Sequence, residues 1–498
     1  MANTAFRDRS AFAENGPWRF MPFRFHRLAD DRVLLTNQGG EFAFLDRDSF
    51  DAFTSGRMPA GSDRYLDLKS KGFLTHGPGE SEIRVLASQF RTKKEFIEGG
   101  PKLHIFVPTL RCNQGCGYCQ ASRAGIDQPG VDMTLETASK AIDLMLSCPS
   151  PSVTMEFQGG EPLLAFDLVR SMVVTASGRA AKLGKAVKFV ICTNLTLLTD
   201  EHMAFFKEHG VCVSTSLDGP ASLHDRNRPL ANSSAHDIVA RNIERCDEAL
   251  GRGNASALMT TTVHSLPHAK AIIDEYVAAG QRSIFLRDLN PYGFAAKTGH
   301  AIGYDVDRFL DFYKEALGYI IDLNRDGMHF VESFTSMLLR KILTPFGVGF
   351  VDLQSPTGEG FGVVLYNHDG SVYASDEARM LGEMGDPTFR LGSVDDGYAD
   401  IFFGETMQTI AAAGVAESLP GCADCAFVPY CGADPIRNYR TQGDPVGHRP
   451  TSTFCRRQTG IFRHVFSLLD RGDLGLMRIF LSWLKPSHAS LPRPPWQL

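Results

Sequence analysis

The amino-acid sequence predicts an α/β protein built on a parallel sheet, either doubly wound or curled into a barrel. Two observations lead there. From Leu103 to about Arg325, strand-like runs alternate with helix-length amphipathic segments joined by short connections. Clusters of Cys, Gly, Asp and Asn fall just after those runs, where the carboxyl ends of parallel strands collect chemistry. Strands are expected over Leu103–Pro108, Val153–Gln158, Val187–Cys192, Val211–Ser216, Ala257–Val263 and Ser283–Asp288, with helices such as Leu135–Ser147 and Ala235–Leu250 between them.

Ahead of this unit the pattern differs. Arg19-Phe20-Met21 and Val33-Leu34-Leu35 precede Asn37-Gln38-Gly39-Gly40, and Phe42-Ala43-Phe44-Leu45 follows it. Two short strands about the Gly-Gly turn predict a hairpin, followed by helices near Arg47–Thr54 and Ser62–Lys71. After the parallel unit, Phe361–Tyr366 and Ser371–Ala374 flank Asn367-His368-Asp369-Gly370, a second hairpin signal. The tail from Pro486, with Pro492, Pro494 and Pro495, is expected to be extended or disordered. The chain then divides into an N-terminal α+β region (1–95), the parallel unit (96–330), a Cys-rich region (331–470) and a C-terminal helix with a Pro-rich tail (471–498).

At 498 residues with 43% hydrophobic content, the chain has room for two or three domains with a sizeable core. A net charge of -6 argues against nucleic acid as the main partner, because phosphate binding needs a basic footprint. No apolar run reaches bilayer-spanning length, and Met1–Arg9 lacks the apolar core of a signal peptide, so a cytoplasmic protein without a membrane partner is expected. In that compartment the 11 cysteines are read as metal or cluster ligands rather than disulfides. Two clusters stand out, Cys112, Cys116, Cys119 and Cys422, Cys425, Cys431, Cys455; Cys148, Cys192, Cys212 and Cys246 read as small buried hydrophobes.

The first cluster lies in Arg111-Cys112-Asn113-Gln114-Gly115-Cys116-Gly117-Tyr118-Cys119, directly after the first strand. Its spacing supplies three thiolates where a 4Fe-4S cluster takes four, which leaves one iron open to another ligand. Zinc suits three cysteines without a nearby fourth ligand poorly. The second strand ends in Glu156-Phe157-Gln158-Gly159-Gly160-Glu161-Pro162, whose glycines permit close backbone approach and whose acid answers a positive charge.

Together these motifs resemble the signature of the radical S-adenosylmethionine (SAM) enzymes. The resemblance implies an α/β fold with an incomplete (β/α)6 radical SAM barrel, and a SAM-binding 4Fe-4S cluster on Cys112, Cys116 and Cys119 beside Tyr118. It also implies that Gly159, Gly160, Glu161 and Pro162 hold the methionine amino group. Thr193-Asn194 follows the third strand, and Ser216-Leu217-Asp218-Gly219-Pro220 with His224-Asp225-Arg226-Asn227-Arg228 follows the fourth. In the peptide-modifying branch that these motifs resemble, Ser216 and Arg228 match the residues holding the SAM carboxylate, which an arginine fork suits. Asn194 joins them, or serves only as a turn residue. Arg287, Asp288, Asn290 and Tyr292 are candidates for the substrate side or for packing.

The run from Cys422 to Cys431, with Cys455 beyond, resembles the SPASM auxiliary-cluster region, whose full form binds two 4Fe-4S clusters through seven cysteines. This chain has Ser355-Pro356-Thr357-Gly358, Ser375 and Pro435 where three of those cysteines are expected. The three absences concern one cluster, so the resemblance implies a single auxiliary 4Fe-4S cluster on Cys422, Cys425, Cys431 and Cys455. Structural zinc is the alternative for four cysteines. Asp376 stands at the catalytic-base position of the sulfatase-maturing relatives, at a hairpin end where an aspartate also caps turns.

Over nearly its whole length, including Cys431-Gly432-Ala433-Asp434-Pro435, the chain resembles the His-Xaa-Ser system radical SAM maturases. The resemblance implies oxidative modification of a ribosomally made precursor peptide, an electron donor such as flavodoxin or ferredoxin, and a second radical SAM maturase as partner. The N-terminal region resembles, weakly, peptide-recognition elements of such enzymes; a packing cap for the barrel is the other reading. A formylglycine-type sulfatase maturase and a non-catalytic iron-sulfur or zinc protein are the competing readings of the whole chain.

Overall fold

A computed structural model describes residues 17–484, so the tail expected from Pro486 lies outside the described residues. Short strand β1 (Arg19–Phe20) opens the described chain. Strands β2 (Phe23–Arg27), β3 (Val33–Asn37) and β4 (Phe42–Leu45) form an antiparallel sheet, and β5 (Leu74–Thr75) returns to pair with β1. The expected hairpin is β3–β4. The additional strand β2 places Phe23 and Phe25 against Phe53 and Phe50, with ring centroids 5.2 and 5.0 Å apart.

Helices Arg47–Thr54 and Asp63–Ser70 begin where Asp46 and Ser62 accept the Ser49 and Tyr65 amides. They bury Phe53, Tyr65 and Leu68 on Leu35, Ala43 and Leu45. The other face of the sheet meets the Cys-rich region: Thr36 Oγ1 donates to the Ala426 carbonyl, and the Phe42 ring lies 5.5 Å from that of Phe466. At roughly 2 kcal/mol per large apolar side chain buried, this face fixes the N-terminal unit in place.

The central sheet starts at β6 (Leu103–Thr109) and continues through β7 (Ser152–Gly159), β8 (Ala186–Cys192), β9 (Cys212–Ser216) and β10 (Ala255–Leu258), each parallel to and beside its predecessor. Helices Leu135–Ser147, Phe166–Leu183, Asp200–His209 and Ala235–Leu250 make the crossovers. Their apolar stripes, such as Val169, Val173, Ala176 and Ala180, pack on Val153, Met155, Phe189 and Ile191 of the strands.

The fifth and sixth strands depart from expectation. β10 ends at Leu258 because the Thr260 amide donates to the buried Asp218 carboxylate, 3.2 Å away, instead of continuing the ladder. The sixth segment forms only β11 (Ser283–Ile284), which pairs in parallel with β12 (Val331–Glu332) rather than with β10. Its ladder is replaced by a side chain: fully buried Glu332 accepts the Leu286 amide and caps helix Ser333–Leu343.

On its opposite edge the sheet gains β13 (Val363–Tyr366), parallel to β6, then β14 (Ser371–Tyr373) and β15 (Arg390–Ser393) as an antiparallel extension. The predicted second hairpin is β13–β14, and its residues continue the same sheet. Helices Thr453–Asp470 and Leu474–Trp483 complete the core through Phe462, Phe466, Phe480 and Trp483.

Candidate functional site

The loop after β6 carries Cys112, Cys116 and Cys119, each partly exposed. It is pinned from several sides. Cys112 N donates to the Ala124 carbonyl, while Gly115 N and Gly117 N donate to the Pro229 and Asn227 carbonyls. Cys119 O accepts from Phe294 N at 2.8 Å. The three cysteines thus share one pinned loop at the carboxyl end of β6, close enough that the charges of Cys116 and Cys119 act on Cys112.

Gly159 and Gly160 lie directly under this loop. Gly160 N donates to Thr109 O at 2.9 Å and Glu161 N to Arg111 O at 2.7 Å. A Cβ on Gly160 would stand 2.1 Å from Arg111 O, and one on Gly159 2.4 Å from Thr109 O, with Gly159 at φ +122°. Only glycine permits this contact. Glu161 is fully buried and accepts Leu163 N (3.0 Å), Thr193 Oγ1 (2.6 Å) and Asn194 N (2.8 Å), while Pro162 opens the short turn that follows. The carboxylate therefore ties the loop after β8 to the loop after β7. Asn194 Nδ2 donates to Asn113 Oδ1 at 2.9 Å, and Asn113 Nδ2 to Thr196 Oγ1 at 2.8 Å, which joins that loop to the cysteine loop.

Asp218, just beyond β9, is the hub of the far side. Its fully buried carboxylate accepts Tyr118 Oη at 2.5 Å, Arg228 Nε at 3.2 Å and Thr260 N at 3.2 Å, and the Arg228 guanidinium lies 5.1 Å from the Tyr118 ring centroid. Arg228 makes no other side-chain hydrogen bond among the described residues, which leaves its Nη atoms for a carboxylate. Ser216 ends β9 on the same edge. Removing this charge has a predictable result. Asp218→Asn leaves buried Arg228 without its counter-charge, and stability is expected to fall by about 3 kcal/mol, read from the denaturant midpoint, with an at least tenfold rise in the KM for SAM.

These residues fit a thiolate-bound cluster and SAM. Burial, with the charges of Glu161 and the neighbouring thiols, pushes the Cys112 thiol up to about 12, and burial raises Cys116 to about 11, so a cationic metal core is needed to hold them as thiolates. Gln114 Nε2, Arg123 Nε and Asn227 Nδ2 are buried donors without partners in the surrounding loops. SAM offers a carboxylate and several acceptors for such donors.

The second set also comes together. Cys425 N donates to Cys422 O at 2.9 Å, Phe427 N to Cys425 Sγ at 3.4 Å, and Cys431 N to Phe427 O at 3.0 Å. Cys455 enters from the start of helix Thr453–Asp470, where Ser452 caps its amide. Burial and then mutual repulsion raise the Cys431 thiol, with Cys425, Cys422 and Cys455 as the charges it meets. Among the described residues no three His, Cys, Asp or Glu side chains are placed to hold one metal ion. A cubane gives each thiolate its own iron, so facing thiols need not converge on one point.

Asp376 is the first residue of helix Asp376–Glu383, and its carboxylate pairs with buried Arg379 at 3.1 Å. Burial raises Glu156 and Cys192, and each also meets the charge of Asp376. Asp376 thus belongs to the inner end of the sheet. Asp288 is clamped by Arg437 and Arg457, and Asn290 lies 3.5 Å from Arg437, which gives both a role in joining the sheet to the Cys-rich region. The sequence assigns Asn113, Thr193 and Asp218 no role of their own and reads Cys192 as a small buried hydrophobe, whereas it is partly exposed beside Glu156. Of these, Asp218 had a signal, since an acid after a strand at the motif-bearing edge need not be a turn residue.

Residues 106–268 match the Radical SAM superfamily, so the chain carries a radical SAM domain, on the α/β fold described above. An uncharacterised protein of Archaeoglobus fulgidus is 26% identical over 369 residues, 74% of this chain and 81% of that protein. A serine-type anaerobic sulfatase-maturating enzyme of Klebsiella aerogenes is 28% identical over 211 residues, 41% of this chain and 50% of that enzyme, so the match spans half of its length. Among solved structures, anSMEcpe with bound AdoMet and Kp18Cys peptide aligns with TM-score 0.61 at 17% identity, over 77% of this chain and all of that one. Streptococcus suis SuiB bound to precursor peptide SuiA aligns with TM-score 0.53 at 12% identity, over 88% of this chain and all of that one. At these identities the two structures speak for the fold. No helix among the described residues is long and apolar enough to cross a membrane.

Proposed function

We propose that this chain is a radical SAM maturase that oxidatively modifies a ribosomally made peptide, with a His-Xaa-Ser repeat precursor as the substrate. The observation that carries this reading is the presence of two separate thiol sets, three on the loop after β6 and four in the Cys-rich region. One set leaves a ligand position open and the other is complete. The peptides bound in anSMEcpe and SuiB support a peptide substrate. The partners are the precursor, a low-potential donor such as flavodoxin or ferredoxin, and a second radical SAM maturase, in the cytoplasm.

Cys112, Cys116 and Cys119 hold one 4Fe-4S cluster, and Cys422, Cys425, Cys431 and Cys455 hold the other. Arg228 and Ser216 take the SAM carboxylate, the Gly159–Pro162 segment takes its amino group, and Asp218 fixes Arg228 and Tyr118 in place. When bound, reduced cluster and SAM supply a 5'-deoxyadenosyl radical that removes hydrogen from an unactivated carbon. The protein's share is orientation and exclusion of water. A His-to-Ser side-chain crosslink would give one hydrogen atom to the deoxyadenosyl group, one electron to the auxiliary cluster that Cys422, Cys425, Cys431 and Cys455 would hold, and one proton to Asp376.

Incubating reconstituted enzyme, SAM, dithionite and a His-Xaa-Ser repeat peptide is expected to give a loss of two hydrogens per modified repeat, with tandem mass spectra placing the new bond between His and Ser. Modification elsewhere would refute the crosslink. The similarity to the Klebsiella enzyme favours a second reading, oxidation of a Ser to formylglycine. That product has the same mass loss but carries an aldehyde, so reaction with hydroxylamine separates the two.

A further inference from the structure

Where the sheet's carboxyl edge meets the Cys-rich region lies a set of carboxylates, Glu359 and Asp434 buried and the others partly so, and their partners sort them into two groups. Asp288 is held by Arg437 at 3.0 Å and by Arg457, Asp352 by Arg457 at 2.9 Å, and Asp376 by Arg379 at 3.1 Å. Glu359, Glu377 and Asp434 have no ion pair among the described residues. Thr357 Oγ1 donates to Glu359 at 3.3 Å and the Arg437 amide to Asp434 at 2.8 Å.

The fold brings these three acids together. Gly360 N donates to Ala374 O at 2.8 Å, which sets the Glu359 segment beside the start of helix Asp376–Glu383. That helix packs on helix Pro435–Gln442, which Asp434 caps. Glu359 directly follows Ser355–Gly358, Glu377 lies two residues after Ser375, and Asp434 directly precedes Pro435, the three segments in which the SPASM pattern this region resembles would have a cysteine.

Tyr292 is the independent observation. Its side chain is fully buried in the apolar cluster that includes Ala374, Ala378 and Ile436, and its hydroxyl has no partner. The charged groups it faces are Asp434, Glu377 and Glu359, with the Arg437 guanidinium, already held by Asp288, beyond them. A buried hydroxyl is ordinarily bonded. Burial pushes all three carboxyls upward and neighbouring acids add to the shift, while Arg437 opposes it at Asp434 and Arg287 at Glu377; a cation seated among them would favour their charged forms. No three acids here are placed to hold one metal ion, whereas an organic cation spreads its N–H donors over several partners.

The geometry points to a binding site for a cationic side chain of the substrate, a protonated histidine, lysine or arginine, seated among Glu359, Glu377 and Asp434 and met by the Tyr292 hydroxyl. Glu377 follows Asp376, so a side chain held here places the neighbouring substrate residues at the inner end of the sheet. The inference rests on the reading of the substrate as a peptide.

The test uses reconstituted full-length enzyme and fluorescence anisotropy at about pH 6, where imidazole is protonated. The probes are a labelled His-Xaa-Ser repeat peptide and the same peptide with Gln for His. The wild type is expected to bind the His peptide about tenfold more tightly, the scale of one charge-assisted hydrogen bond. Glu377→Gln should bring the two affinities together without weakening the Gln peptide, and Tyr292→Phe should do so in part. Equal wild-type affinities, or equal loss of both peptides in Glu377→Gln, overturn the site and leave the peptide reading standing. If neither peptide binds, the peptide reading fails, and saturation-transfer NMR with 4-methylimidazolium and butylguanidinium decides the site. Binding lost in Glu377→Gln upholds it, and no binding overturns it.

Discussion

Cys116→Ala is expected to abolish 5'-deoxyadenosine formation, whereas Cys455→Ala keeps it and loses the modified peptide. Each variant should retain about four of about eight irons per chain. The two outcomes differ because the thiol sets belong to different parts of the fold. Cys116 meets the charges of Arg228, Asp218 and Arg123, the residues proposed to surround SAM, and its Sγ lies 3.9 Å from the Gln114 amide oxygen. An amide is no substitute for a thiolate on iron. Cys455 is brought by helix Thr453–Asp470 to three cysteines of a separate loop, and among the described residues no hydrogen bond joins that set to Tyr118, Asp218 or Arg228. About twelve irons in the wild type, or zinc in place of the second cluster, would overturn the two-cluster reading. A Cys455→Ala protein that still crosslinks its peptide would remove the auxiliary site from the oxidation.

Much of this arrangement is legible from local pattern. Strands β6 to β9 carry apolar or alternating runs between amphipathic helices, the first cysteine set lies in one short loop, and three of the second set fall between Cys422 and Cys431. The placing of the first set, with the motifs after β7 to β9, at one end of the sheet follows from the topology of consecutive parallel strands. What escaped the sequence is long-range. The β6–β13 pairing joins residues 103–106 to residues 363–366, and neither segment signals a partner that distant. The sixth strand was expected to run to Asp288, yet Glu332, from 46 residues further on, accepts the Leu286 amide and ends the ladder.

The same limit applies to side chains. Asp218 looks like a turn residue beside Gly219 and Pro220, and only the fold shows Tyr118, Arg228 and Thr260 meeting on it. Tyr292 and the acids near it come from four separate segments, so no window of sequence contains them together.

Gly160→Ala is expected to lower the rate of SAM cleavage about 100-fold, the effect of moving a reacting group by roughly 1 Å. The added methyl would meet Arg111 O at 2.1 Å and Leu110 O at 2.5 Å. Both are backbone atoms of the segment leading into Cys112, so no side chain can rotate away. The loop itself cannot yield freely, because Glu161 N and Gly160 N bond to Arg111 O and Thr109 O, and Cys112 N bonds to Ala124 O. Relief must move the cysteine loop relative to β7, with a stability cost at or above the roughly 1–3 kcal/mol of ordinary overpacking. Gly178→Ala is the control, since a Cβ there meets nothing within 4 Å and lies in helix Phe166–Leu183. That variant should be neutral or more stable by up to about 1 kcal/mol. The 5'-deoxyadenosine rate and the denaturant midpoint, measured for both variants, check the argument. A Gly160→Ala enzyme within twofold of wild type would mean that the cluster loop tolerates displacement, and the close glycine contact would then have no part in placing SAM.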